Sequence, residues 1–163
     1  MTSVTIFAII MTISLGSILG IFDANRKTRS MKTVMNNLNL SIETMSKEMR
    51  YGKNYHCGSG NLTTPQNCAG GDTLMSFLSS EGNQITYSFS SSAITKQVDN
   101  NQAVPITAPE VVIDSLTFYT FGASVSDTLQ PKVIIRIKGH AGTGKSRSDF
   151  TLETMASQRM IDI

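Results

Sequence analysis

The chain has 163 residues, enough for one ordinary domain and an appendage. Only 16% of them are charged, against about 25% in a typical soluble globule. The 14 basic and 12 acidic side chains leave a net +2, too small to argue for nucleic acid, and the two cysteines and two histidines lack the spacing of a four-ligand zinc finger.

The missing charge is missing mainly from Met1–Phe22, which has none. As a helix these 22 residues span about 33 Å, close to the roughly 30 Å hydrocarbon core of a bilayer. Hydroxyls at Thr5, Thr12, Ser14 and Ser17 are tolerated there, because each can bond a carbonyl one turn back. A secretory signal would open with a basic stretch, yet the first basic residue is Arg26. The residues expected to face lipid or neighbouring helices are Val4, Ile6, Phe7, Ile9, Ile10, Ile13, Leu15, Gly16, Leu19, Gly20 and Phe22. Gly16 and Gly20 make a G-x-x-x-G step, a spacing that permits close helix approach and also occurs by chance.

From Asp23 to Tyr51 there is neither proline nor glycine. Met31, Val34, Met35, Leu38, Ile42, Met45 and Met49 recur at steps of three and four, one stripe of an α-helix expected to pack on a sheet. Glu43 and Lys47 are spaced for an ion pair across one turn, and Gly52 is placed to stop the helix. Residues 1–51 are thus predicted to form one rod of roughly 75 Å, with a membrane half over 1–22 and an amphipathic half over 23–51. Arg26, Lys27, Arg29 and Lys32 follow the apolar run; by the positive-inside rule they favour a cytoplasmic C-terminal part.

Residues 52–163 carry strand patterns. Leu74–Leu78 and Gln84–Phe89 flank Glu81-Gly82-Asn83, a hairpin signal. Ala93–Val98, Val111–Phe121, Lys132–Lys138 and Phe150–Met155 follow, separated by turns. The expected architecture is α+β: an antiparallel meander forming one sheet, covered by the amphipathic half-helix. Asp99–Pro109 is predicted to be a loop, with Asp99, Asn100 and Asn101 as turn formers rather than a calcium loop. Cys57 and Cys68 enclose ten residues rich in turn formers. A disulfide there would stabilise by roughly 3 kcal/mol and imply an oxidising compartment; free thiols are the alternative. This favours an extracytoplasmic domain, against the charge rule.

Gly139-His140-Ala141-Gly142-Thr143-Gly144-Lys145-Ser146 matches the phosphate-loop spacing, but the residues after it read as a strand where a nucleotide site needs a helix. It is read as a hairpin turn. Lys132, Arg136, Lys138 and His140 share a strand face, read as solvated. From Lys53 onward eight basic residues face nine acidic ones, so nucleic acid is not the expected partner. No nucleophile–base pair or metal-ligand pattern stands out, and neither an enzyme nor a cofactor is expected.

A long helix, half apolar and half amphipathic, leading into a small sheet resembles type IV pilins and the pseudopilins of type II secretion. Val4–Leu19 (VTIFAIIMTISLGSIL), Leu38–Arg50 (LNLSIETMSKEMR) and Phe150–Ile163 (FTLETMASQRMIDI) carry the resemblance, the second being similar to minor, pseudopilin-J-like proteins. The family's G-F-T-L-x-E site, cut and methylated by a prepilin peptidase, is not present and is expected just before Met1. The resemblance implies a structural subunit anchored in the cytoplasmic membrane, extracted at an inner-membrane assembly platform and packed with other pilin or pseudopilin subunits through the N-terminal helix. It also implies that the Cys57–Cys68 loop and the 99–109 loop set partners. The alternative is a single-pass membrane-anchored binding or sensor domain that never polymerises.

Overall fold

The fold is that of a computed structural model, which describes residues 2–60, 62–124, 128–142, 144 and 147–159. Helix α1 runs without interruption over Thr2–Tyr51. Nine strands follow: β1 (Lys53–Cys57), β2 (Cys68–Asp72), β3 (Leu74–Leu78), β4 (Gln84–Ser90), β5 (Ala93–Val98), β6 (Val104–Pro105), β7 (Val111–Phe121), β8 (Lys132–Ala141) and β9 (Ser148–Ser157). The α+β class holds, but the single expected sheet is two. One has the order β1-β3-β4-β5-β6 and the other β2-β7-β8-β9, and all pairings between these strands are antiparallel.

Two local meanders explain most of this. β3, β4 and β5 are joined by tight turns and pair in register from Leu78↔Gln84 and Ser90↔Ala93 outward. Gly82 takes the left-handed backbone of the first turn at φ 89°. β7, β8 and β9 form the second meander, and β8 and β9 are longer than their apolar patterns suggested. The break falls after Val98. Asp99 adopts φ 53° and its carboxylate accepts the Gln84 amide at 2.8 Å, as a turn former should. Pro105 then closes the edge strand β6, where a missing N–H costs no ladder bond. The predicted 99–109 loop therefore contains a strand, and its second half is held down. Ile106 packs against the core, its carbonyl accepts the Ser41 hydroxyl of α1 at 2.8 Å, and Thr107 is buried.

β1 and β2 flank the turn-rich Cys57–Cys68 segment and are not among the strands expected from the sequence. Tertiary pairing makes them strands, each at the margin of a different sheet. Cys57 closes β1 and Cys68 opens β2, and they are disulfide-bonded with Cα atoms 5.7 Å apart. The bond therefore joins the two sheets as well as closing a loop. Cys57 is fully buried, and the sulfurs lie 3.6 and 3.4 Å from the Phe118 carbonyl of β7.

The core lies between α1 and the inner faces of both sheets. Val34, Leu38, Met45 and Met49 are buried in it, with Met31, Met35 and Ile42 packed at its margin. Tyr55, Phe77 and Tyr87 contribute the first sheet's aromatic side chains; Leu116, Phe118, Ile135 and Ile137 come from the second. The helix end is fastened from several directions. The Tyr55 hydroxyl and the Gly52 amide both donate to the Met49 carbonyl, and the Arg159 amide donates to the Arg50 carbonyl. Gly52 is not in the left-handed region expected of a helix-stopping glycine. It is small because a Cβ there would meet Phe77 at 2.4 Å.

Candidate functional site

The most unusual surface is the N-terminal half of α1. Every described residue from Thr2 to Phe22 is exposed, including Val4, Ile6, Phe7, Ile9, Ile10, Ile13, Leu15, Leu19 and Phe22. Thr12 and Ser14 return their hydroxyls to the carbonyls of Ala8 and Ile10, at 2.6 and 2.8 Å, so these side chains spend their polarity inside the helix. A Cβ on Gly16 or Gly20 would meet nothing within 4 Å, so both glycines present open backbone. A contiguous exposed apolar surface of this size is rare on a soluble monomer and marks contact with lipid or protein. The segment is long and apolar enough to cross a membrane, and none of its apolar window is buried by the rest of the fold.

The boundary between the two halves is abrupt. Asp23 through Arg29 are exposed; the core-facing stripe begins with Met31 and Val34. The Cys57–Cys68 pair, also singled out in the sequence, sits far along the chain as the link between sheets.

Sequence reasoning missed one polar cluster. Glu48 lies beside the apolar stripe and faces the first sheet. Its carboxylate accepts the Tyr87 hydroxyl and the Lys96 ammonium, both at 2.6 Å. The expected Glu43–Lys47 pair does not form. Tyr87 and Lys96 are cross-strand partners, so the pairing brings both groups to the same carboxylate. Burial, reinforced by the neighbouring Glu48 charge, pushes the Tyr87 phenol well above its ordinary pKa. Beside this cluster lies an open polar groove lined by Lys47, Ser79, Ser80, Glu81 and Asn83. The only sequence signal for the cluster was Glu48 itself, an acid on the flank of a buried stripe.

The basic strand face of β8 is outward and largely neutralised. Arg136 binds Glu153 at 2.7 Å and lies over the Tyr119 ring; Lys132 lies over Phe121. At its far end Asp114, His140 and Asp149 bring their potential ligand atoms within 4.8 Å of one another. His140 is bonded to Asp114 at 3.0 Å, and Arg147 to Asp149 at 2.9 Å, so each member already has a protein partner. In the phosphate-loop-like stretch, Gly139–Ala141 belong to β8, Gly144 lies in a 3-10 position, and strand β9 follows from Ser148. Gly139 serves strand packing, because a Cβ would meet the Val112 carbonyl oxygen at 2.5 Å. Thr143, Lys145 and Ser146, like the tail 160–163, lie outside the described residues.

Comparison with known proteins identified no matching family, no matching curated protein and no matching solved structure.

Proposed function

We propose that this chain is a structural subunit anchored in a membrane by residues 1–22 and assembled through that same segment into a filament, in the manner of minor type IV pilins or type II secretion pseudopilins. One observation carries the reading: a single uninterrupted helix has its C-terminal half built into a folded core and its apolar N-terminal half left wholly uncovered. Exposed to water, that half would be unstable as a monomer. Lipid covers it before assembly, and the helices of neighbouring subunits cover it afterwards. The rigid continuity of the rod means that moving the apolar end moves the folded end with it. The Cys57–Cys68 bond suits a folded part outside the cytoplasm.

The test is photo-crosslinking from position 15 in cells producing the full chain with its neighbouring genes. Adducts to like chains or to other small helical-anchor subunits are expected from Leu15 and not from Leu40, which is exposed on the folded half. Leu15→Lys should disfavour insertion by about 3 kcal/mol and release the chain from the membrane fraction. Membrane retention without any subunit adduct would replace this reading with a non-polymerising anchored domain.

A further inference from the structure

Four cations crowd the point at which α1 loses its apolar character. Arg26, Lys27, Arg29 and Lys32 fall within seven positions, accompanied by Asp23 alone. All four are exposed, and none makes an ion pair among the described residues. At 3.6 residues per turn they occupy different sides of the axis, so they form a collar rather than a stripe.

The collar's position limits what can neutralise it. Below it lies the uncharged run; above it one face of the helix is packed on the core from Met31 onward. Among the described residues no acidic side chain of the folded part pairs with the collar, and Glu48, Glu153, Asp149 and Asp114 are engaged instead by Lys96, Arg136, Arg147 and His140. The collar extends about 9 Å along the axis at 1.5 Å per residue. That is close to the headgroup layer on one side of a bilayer, roughly 5–8 Å deep. With residues 1–22 in hydrocarbon, the helix carries Arg26 about 6 Å and Lys32 about 15 Å beyond Phe22, from within the headgroup layer to just above it. Their long, flexible side chains can reach back along the helix so that the charged ends meet phosphates.

We propose that Arg26, Lys27, Arg29 and Lys32 form a binding collar for the anionic headgroups of phospholipids in the leaflet from which the folded part emerges. The inference rests on the membrane reading above and adds the lipid class. Each cation beside an anionic surface strengthens association about five-fold, and the effect weakens as salt shortens the screening length. The collar therefore sets the depth of the rod and favours its residence in anionic membrane.

The experiment follows the full chain as it distributes between two vesicle populations, one of phosphatidylcholine and one of phosphatidylcholine with phosphatidylglycerol. The two are equilibrated through a dialysable detergent and then separated. The chain should favour the anionic vesicles about ten-fold or more at low salt, with the preference collapsing at high salt. The R26Q/K27Q/R29Q/K32Q variant should distribute evenly, whereas K132Q/K138Q, altered on the outer face of β8, should keep the preference. Even distribution of the unaltered chain, or an undiminished preference in the collar variant, overturns the proposal while leaving membrane anchoring intact. Loss of the preference in K132Q/K138Q also overturns it, by moving the lipid contact to the sheet. A chain that enters neither population overturns the membrane reading itself.

Discussion

Leu38 and Leu40 lie two residues apart on one helix with opposite surroundings: Leu38 is 0% exposed and Leu40 is 66% exposed. Replacing Leu38 with alanine removes three buried carbons. At about 0.8 kcal/mol per buried methylene that is roughly 2.4 kcal/mol, and the cavity left between helix and sheets raises the expected loss to about 3–4 kcal/mol. Leu40→Ala removes nothing from the core. Leucine and alanine are both strong helix formers, so its effect should stay within about 0.5 kcal/mol. The assay is urea unfolding of the full chain in a fixed non-ionic detergent. Tyrosine emission is the suitable signal, because the chain has no tryptophan and its four tyrosines lie at 51, 55, 87 and 119, in or beside the folded part. Helical circular dichroism is a poorer probe, since the detergent-covered half remains helical after the core has opened. Equal losses in the two variants, or a loss below about 1 kcal/mol for Leu38→Ala, would refute docking of this helix face.

Removing the disulfide by Cys57→Ala with Cys68→Ala should cost about 3 kcal/mol for the loop it closes, with a sequence separation of 11 residues. Reductant should bring the unaltered chain down to the variant's urea midpoint and leave the variant unchanged; insensitivity of both would count against a structural bond. Tyr87 has a folded-state pKa raised by burial and by Glu48, so its contribution is fully present below the unfolded value of about 10 and is lost as the pH rises beyond it. Tyr87→Phe should therefore flatten the alkaline decline in stability measured from neutral pH to above about pH 10; parallel curves for the two proteins would contradict the buried phenol. At neutral pH the same substitution should cost about 1–2 kcal/mol, because Glu48 keeps Lys96 but loses a donor.

The elements that could be read locally are those whose burial follows a chain period. The Met31–Met49 stripe faces the core because every side chain in it recurs on one side of a helix, and no distant residue is needed to see this. The β3–β4 hairpin follows from Glu81-Gly82-Asn83 between two apolar runs. By contrast, β2 contains Gly70 and Gly71 and has no apolar alternation; it is a strand only because β7 pairs with it. Glu43–Lys47 had the right spacing for an ion pair and does not form one, whereas Glu48 pairs with Lys96 and Tyr87. Local spacing cannot report that Tyr87 and Lys96 arrive together from another element.

The amino-acid order by itself determined the rod, its uncharged half and the face by which its other half is held, since periodicity and the free energy of moving uncharged side chains out of water act over neighbouring residues. The division into two sheets, the disulfide that bridges them, the burial of the 106–108 segment and the Glu48 cluster were decided by the tertiary structure. Each depends on which strands meet across long separations in the chain, and that choice is made by the packed core as a whole.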